Sequence, residues 1–98
     1  YLFPDSMRET TPFAADRQGR PLARNPLADR RVREALSLAI PRQAIAERLY
    51  QGQATPADQF AASAAEHRIE GLPPLPNDPA RARALLAEAG YPEGFRLT

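Results

Sequence analysis

The sequence predicts an α/β fold, with two to three helices packed on a small, incomplete sheet. Three observations carry that reading. Val32, Ala35, Leu36, Ala39 and Ile40 recur at i, i+3, i+4, i+7 and i+8, the spacing of one helical face about 100° wide. Ala82, Leu85, Leu86 and Ala89 repeat the same stripe near the C-terminus. Phe95-Arg96-Leu97-Thr98 then alternates apolar with polar, the period of a strand.

Residues 1–3, Tyr-Leu-Phe, form a first strand candidate, and Pro4-Asp5-Ser6 is a turn signal. Residues 8–27 hold four prolines or glycines, mixed charge and no sustained period, so they are expected to be loop. Within it Phe13 is expected to tuck against the core, and Asp16-Arg17-Gln18-Gly19-Arg20 is a polar turn in which Gly19 supplies positive φ. The first helix has two candidate starts, Asn25-Pro26 and Asp29. Its stripe leaves Arg30, Arg31 and Glu34 outside, and Pro41, lacking an amide hydrogen, ends it.

A second helix is expected over 41–50, with Ile45 and Leu49 buried and Gly52 closing it. Residues 53–76 show no clear period; 58–66 has room for a helical turn or two, and Pro73, Pro74 and Pro76 favour an extended path. A polyproline ligand for a recognition domain is the sharper reading of those prolines, but a connector into the last helix explains the same residues. The third helix is the most fully punctuated. Asp78 sits at its N-cap with Pro79 at the first helical position, Gly90 is placed for a left-handed C-terminal residue, and Pro92 prevents continuation. The strand that follows reaches only its fourth residue, which suggests a piece of a larger fold.

Composition narrows the function classes. A chain of 98 residues is expected to form a single unit, burying roughly 65% of its unfolded surface by area scaling. No apolar run approaches the about 18 residues of a membrane span. The absence of cysteine excludes a disulfide framework and a thiolate metal site. All 13 basic residues are arginine, which, with the heavy use of alanine, reads as the compositional bias of a GC-rich genome. Twelve acidic residues bring the net charge to +1, which gives no electrostatic case for nucleic acid.

Candidate chemistry is sparse. His67 is a lone imidazole between Glu66 and Arg68 and is expected to be a solvated loop residue rather than a metal ligand. Asp29, Glu34, Glu47 and Glu88 are spaced for capping and ion pairs, not for a carboxylate dyad. Ser6, Ser37 and Ser63 lack a nucleophile elbow or a nearby histidine, and no Gly-rich phosphate loop occurs. Arg30, Arg31 and Arg33 suggest the start of a DNA-reading helix only if the arginines of both central helices share a surface. The alternative is that Arg33 pairs with a carboxylate of its own domain, and Asp29, one turn away, is close enough for an i, i+4 contact.

Two long segments in the right order carry a family resemblance. NDPARARALLAEAGYPEGFRLT, residues 77–98, resembles the DP-x-x-A-x-x-LL-x-EAGY-x-x-GF run of the family 5 extracellular solute-binding proteins, the peptide and nickel receptors of ATP-binding-cassette (ABC) importers. NPLADRRVREALSLAIPRQAI, residues 25–45, is similar to that family's D-x-x-VR-x-AL-x-x-AI segment. Between them QGQATPADQF looks like its G-x-A-x-PA loop. On these matches Asp29, Val32, Arg33, Ala35 and Leu36 belong to the first motif, and Asp78, Pro79, Leu85, Leu86, Gly90 and Tyr91 to the second. Pro41 departs from the pattern, because the family usually places Asp or Asn there as a cap; the kink is expected to persist without the capping hydrogen bond.

The resemblance implies that residues 1–98 are a fragment of one lobe of a two-lobed, type II periplasmic-binding-protein fold, which closes on its solute by hinge motion. It implies a binding protein and no enzyme, with no cofactor and no metal, located in the periplasm with its signal peptide outside this stretch. The implied partners are a peptide or other small solute and the membrane subunits of an ABC permease, with no nucleic acid. Ligands of such receptors include oligopeptides, nickel chelates, glutathione, opines and sugars. The loop after the first strand supplies the ligand-contact candidates Asp5, Met7 and Arg8, since loops leaving strand ends commonly line clefts. The rival reading is a helical protein-interaction module, for which Arg48 and Gln51 are the residues to probe.

Overall fold

The computed structural model describes residues 2–59 and 69–98. In chain order these form β1 (Ala14–Ala15), a 3-10 turn (Pro26–Ala28), α1 (Arg30–Ala39), α2 (Arg42–Arg48), α3 (Pro79–Glu88) and β2 (Arg96–Leu97). His67, Ser63 and most of the helical turn expected over 58–66 lie outside the described residues, as does Tyr1. Leu2 and Phe3 belong to no strand.

Both expected starts of the first helix are used, one after the other. The Asn25 side chain accepts from the Leu27 amide and caps the 3-10 turn, and the Asp29 side chain accepts from the Arg31 amide and caps α1. Asp29 therefore bonds Arg31 and not Arg33 through its side chain, a correction to the i, i+4 expectation. The buried face is also rotated: Val32, Ala35 and Leu38 are buried, Leu36 and Ile40 half-buried and Ala39 exposed. Packing against α3 sets that rotation. Leu38 meets Ala82 and Leu85 in the core, with Leu86 packed alongside.

Helices α1 and α3 run antiparallel, and each end of one is completed by the start of the other. The Leu38 carbonyl at the end of α1 accepts from the Asn77 Nδ2 at 2.8 Å and the Asp78 amide at 2.9 Å. At the opposite end the Arg31 Nη1 donates to the Glu88 carbonyl at 3.0 Å, and midway Arg81 lies 3.2 Å from Glu34. Helix-terminal carbonyls have no partner within their own helix, so these cross-bonds satisfy groups that would otherwise need water.

The end of α3 forms a full Schellman closure. Gly90 takes φ +93°, its amide donates to Ala87 O at 3.0 Å, and the Tyr91 amide donates to Leu86 O at 2.8 Å. Tyr91 then packs edge-on against Phe95, with ring centroids 5.2 Å apart. Asp78 and Pro79 occupy the N-cap and first helical position as expected.

Three further expectations are corrected. Residues 8–27 contain β1, which pairs antiparallel with β2 in the register Ala14↔Leu97 and Ala15↔Arg96, extended by Thr98 N–H to Phe13 O at 2.9 Å. Two alanines carry little strand propensity, so this pairing arises from the long-range contact. In α2 the buried residue is Ala46, whereas Ile45 is half-buried and Leu49 is 75% exposed. Phe13 is 46% exposed and does not join the core. The sheet is thus a two-stranded antiparallel ribbon, and the core lies between helices rather than between helices and sheet. Pro41 precedes α2 without any side-chain cap, as expected.

The acidic limb of the stability curve follows from two carboxylates. The hydrogen bond from the Arg31 side chain holds Asp29 below the ordinary 3.8, and the backbone hydrogen bond from Arg20 does the same for Asp16. A depressed folded-state pKa contributes stability above the unfolded value, and that contribution disappears as pH falls through the lowered folded value. Stability is therefore expected to decline as pH drops below 3.8. Asp29→Asn, which keeps a capping oxygen, should flatten that decline. Urea midpoints between pH 2 and pH 5 that coincide for parent and variant would contradict this.

Candidate ligand-binding loop

Residues 5–11 lie against the entrance to the first helix, and a buried asparagine holds them there. Asn25 is 5% exposed, and each polar group of its side chain is engaged. Its Nδ2 donates to the carbonyl of Asp5 at 2.6 Å and of Arg8 at 3.0 Å, while its Oδ1 accepts from Leu27 N–H at 3.0 Å. The Asn25 amide donates to Glu9 O at 2.8 Å. Thr11, 8% exposed, donates its hydroxyl to Asp5 Oδ2 at 3.1 Å and accepts from Phe13 N–H at 3.4 Å. A buried amide satisfied on every side fixes the backbone it touches.

The three ligand candidates occupy different positions. Asp5 is half-buried, held by Thr11 and lying 3.5 Å from Arg8 Nη1. Arg8 is exposed, with its guanidinium 5.9 Å from the Phe13 ring centroid, so the ring and Asp5 together set its direction. Met7, between them, is 92% exposed. The structure brings Asp5 and Arg8 together and leaves Met7 at the outer edge.

Beside the loop is a concavity of about 1040 Å³, lined chiefly by apolar side chains that include Phe13, Leu27, Leu36, Ile40 and Leu97. Asp5 lies at its wall, as do Arg33 and Arg42. Among the described residues neither arginine pairs with a carboxylate. Arg33 Nη1 donates to the carbonyls of Leu27 at 3.0 Å and Ala28 at 2.9 Å, so the carboxylate partner expected for it is replaced by the end of the 3-10 turn. The turn exposes two adjacent carbonyl oxygens, which a planar guanidinium can bridge. Arg42 reaches back to Ser37, donating to its carbonyl at 2.8 Å and its hydroxyl at 3.0 Å.

Among the described residues no group of three or more His, Asp or Glu side chains is arranged to hold a metal ion, and no helix is long and apolar enough to cross a membrane. Sequence reasoning identified Asn25 only as a helix start. Its reach to residues 5–9 left no local signal, because the partners are backbone carbonyls at a distance of seventeen and twenty residues.

A small helical pair with a two-stranded ribbon thus places a polar loop, held by Asn25, beside an apolar concavity. The chain belongs to the bacterial extracellular solute-binding proteins of family 5, matching the family's middle region over residues 6–98. It is similar to the glutathione-binding protein GsiB of Salmonella choleraesuis strain SC-B67, 43% identical over 77 residues that cover 79% of this chain and 15% of that protein. The proteins of the same name from Escherichia coli strain K12 and Pectobacterium atrosepticum are 40% and 39% identical over the same shares. The matched stretch thus spans a small part of these curated relatives. No solved structure matches the chain.

Proposed function

We propose that this protein is the solute-capturing receptor of an ABC importer, acting outside the cytoplasm, and that its solute is glutathione or a short peptide of similar size and charge. The observation that carries the reading is the family match across residues 6–98. The names of the relatives favour a glutathione-like solute over a nickel chelate, opine or sugar. In this reading residues 1–98 form part of one lobe, periplasmic in location, and the other elements of a two-lobed receptor complete the pocket. Asp5 and Arg8 offer an acceptor for a peptide ammonium and donors for a carboxylate, with the thioether of Met7 beside them. The solute passes to the permease subunits, and the chain itself performs no reaction.

The test is to purify the full-length protein from its own host, unfold it and identify by mass spectrometry what is released. Glutathione or a set of short peptides is the expected finding. Added glutathione at a hundredfold excess over Kd should raise stability by about 2.7 kcal/mol, read as a higher melting temperature. A nickel chelate or sugar as the released compound would overturn the choice of solute. An empty protein whose melting temperature none of these solutes moves would favour the protein-interaction reading. That version predicts lost uptake with unchanged solute affinity on substitution of Arg48 or Gln51; Gln51 takes φ +50°, a backbone conformation a non-glycine residue rarely adopts.

A further inference from the structure

We infer that Asn25 is the positioning residue of the solute site, fixing the Asp5 and Arg8 backbone in the spacing that the solute reads. The inference rests on the assignment of Asp5 and Arg8 to solute contact. Its basis is the distribution of the bonds around one amide. The two Nδ2 hydrogens go to the carbonyls of Asp5 and Arg8, at 2.6 and 3.0 Å, and so bracket the loop that carries both charged groups. The Oδ1 is bonded to Leu27 N–H, at the start of the 3-10 turn. That turn is in turn held by Arg33 through the carbonyls of Leu27 and Ala28, and Arg33 projects from the helix whose Val32 is fully buried.

A continuous chain of hydrogen bonds therefore leads from the rigid helix to the loop, and in it the Asn25 side chain touches the backbone of both charged residues. Loops present binding groups accurately only when a scaffold fixes them, and an affinity built on two opposite charges a few ångströms apart is sensitive to small displacements. Asparagine suits this position because its amide donates twice and accepts once. Aspartate or serine would supply the capping oxygen for Leu27 without the two donors.

The experiment measures glutathione binding to the full-length protein by titration calorimetry, with melting temperatures recorded in parallel. Asn25→Asp and Asn25→Ser both retain a helix-capping oxygen; an ionised aspartate has no donor and serine has one on a shorter side chain, so neither can bond both Asp5 and Arg8. Each is expected to weaken glutathione binding at least tenfold and to speed amide hydrogen exchange at residues 5–9. Leu86→Ala, packed against the helix core and part of none of the bonds that hold the loop, serves as the control: it should lower the melting temperature while keeping the parent affinity. Asn25 variants that bind as tightly as Leu86→Ala would overturn the inference, even if their melting temperatures fall. Asp5→Ala and Arg8→Ala separate the two failures. If these weaken binding and the Asn25 variants do not, the positioning role alone is wrong. If neither weakens binding, or the parent binds neither glutathione nor the short peptides released from it, the solute-site reading fails and the inference with it.

Discussion

Leu38→Ala is expected to lower stability by about 2–5 kcal/mol, the cost of deleting a buried leucine side chain where the surroundings cannot collapse into the space. Leu38 is 5% exposed and shares its cluster with Ala35, Ala82 and Leu85, so most of its neighbours are alanines too small to fill a cavity. The loss would be a large part of the about 5–15 kcal/mol that holds a domain of this size together. It also propagates, because the carbonyl of the same residue receives the Asn77 and Asp78 donors that close the end of α1. Urea unfolding of the protein should show a lower midpoint with little change in slope. Leu49→Ala is the contrast: Leu49 is 75% exposed, and its replacement should stay within about 0.5 kcal/mol of the parent. Equal midpoints for the two variants would refute the placement of the core between α1 and α3.

Enlarging Ala35 should have the next largest effect. Ala35 is 1% exposed at the α1–α3 contact, and Ala35→Leu forces side-chain volume between two helices whose ends are mutually bonded. Overpacking of this kind costs about 1–3 kcal/mol. Leucine and alanine are both good helix formers, so intrinsic propensity contributes little to the difference. Ala39→Leu, on the exposed side of the same helix, should be near neutral. The pair is informative because the apolar stripe in the sequence places both alanines on one face, and only their tertiary environments distinguish them. Melting temperatures that fall equally for both would favour the stripe over the observed rotation.

How much of the protein was legible depended on the range of the interaction. The caps at Asp29 and Asp78, the first helical Pro79, the left-handed Gly90 and the uncapped start at Pro41 were all visible in sequence, since each depends on residues within one helical turn. The family was legible for the same reason, through two contiguous motifs. The rotation of α1, which exchanges Ala39 for Leu38, was not: a helical stripe of small and large apolar residues leaves several neighbouring faces nearly equivalent, and the partner helix chooses among them. The carboxylate expected for Arg33 gave way to backbone carbonyls, because they are presented by a 3-10 turn whose cap, Asn25, is fixed by distant loop carbonyls.

The helices, their caps and the solute-binding family were legible in residue order alone, because helix formation and termination rest on bonds between residues two to five apart. Long-range packing set Ala14–Ala15 as a strand, placed the core between α1 and α3, and gave one asparagine the loop of Asp5 and Arg8 to hold. The physical reason is common to all three. Neither a backbone group nor an apolar side chain marks its distant partner in the local sequence, so which carbonyls the Asn25 side chain meets seventeen and twenty positions away, which amides pair across more than eighty, and which apolar faces meet are settled by packing.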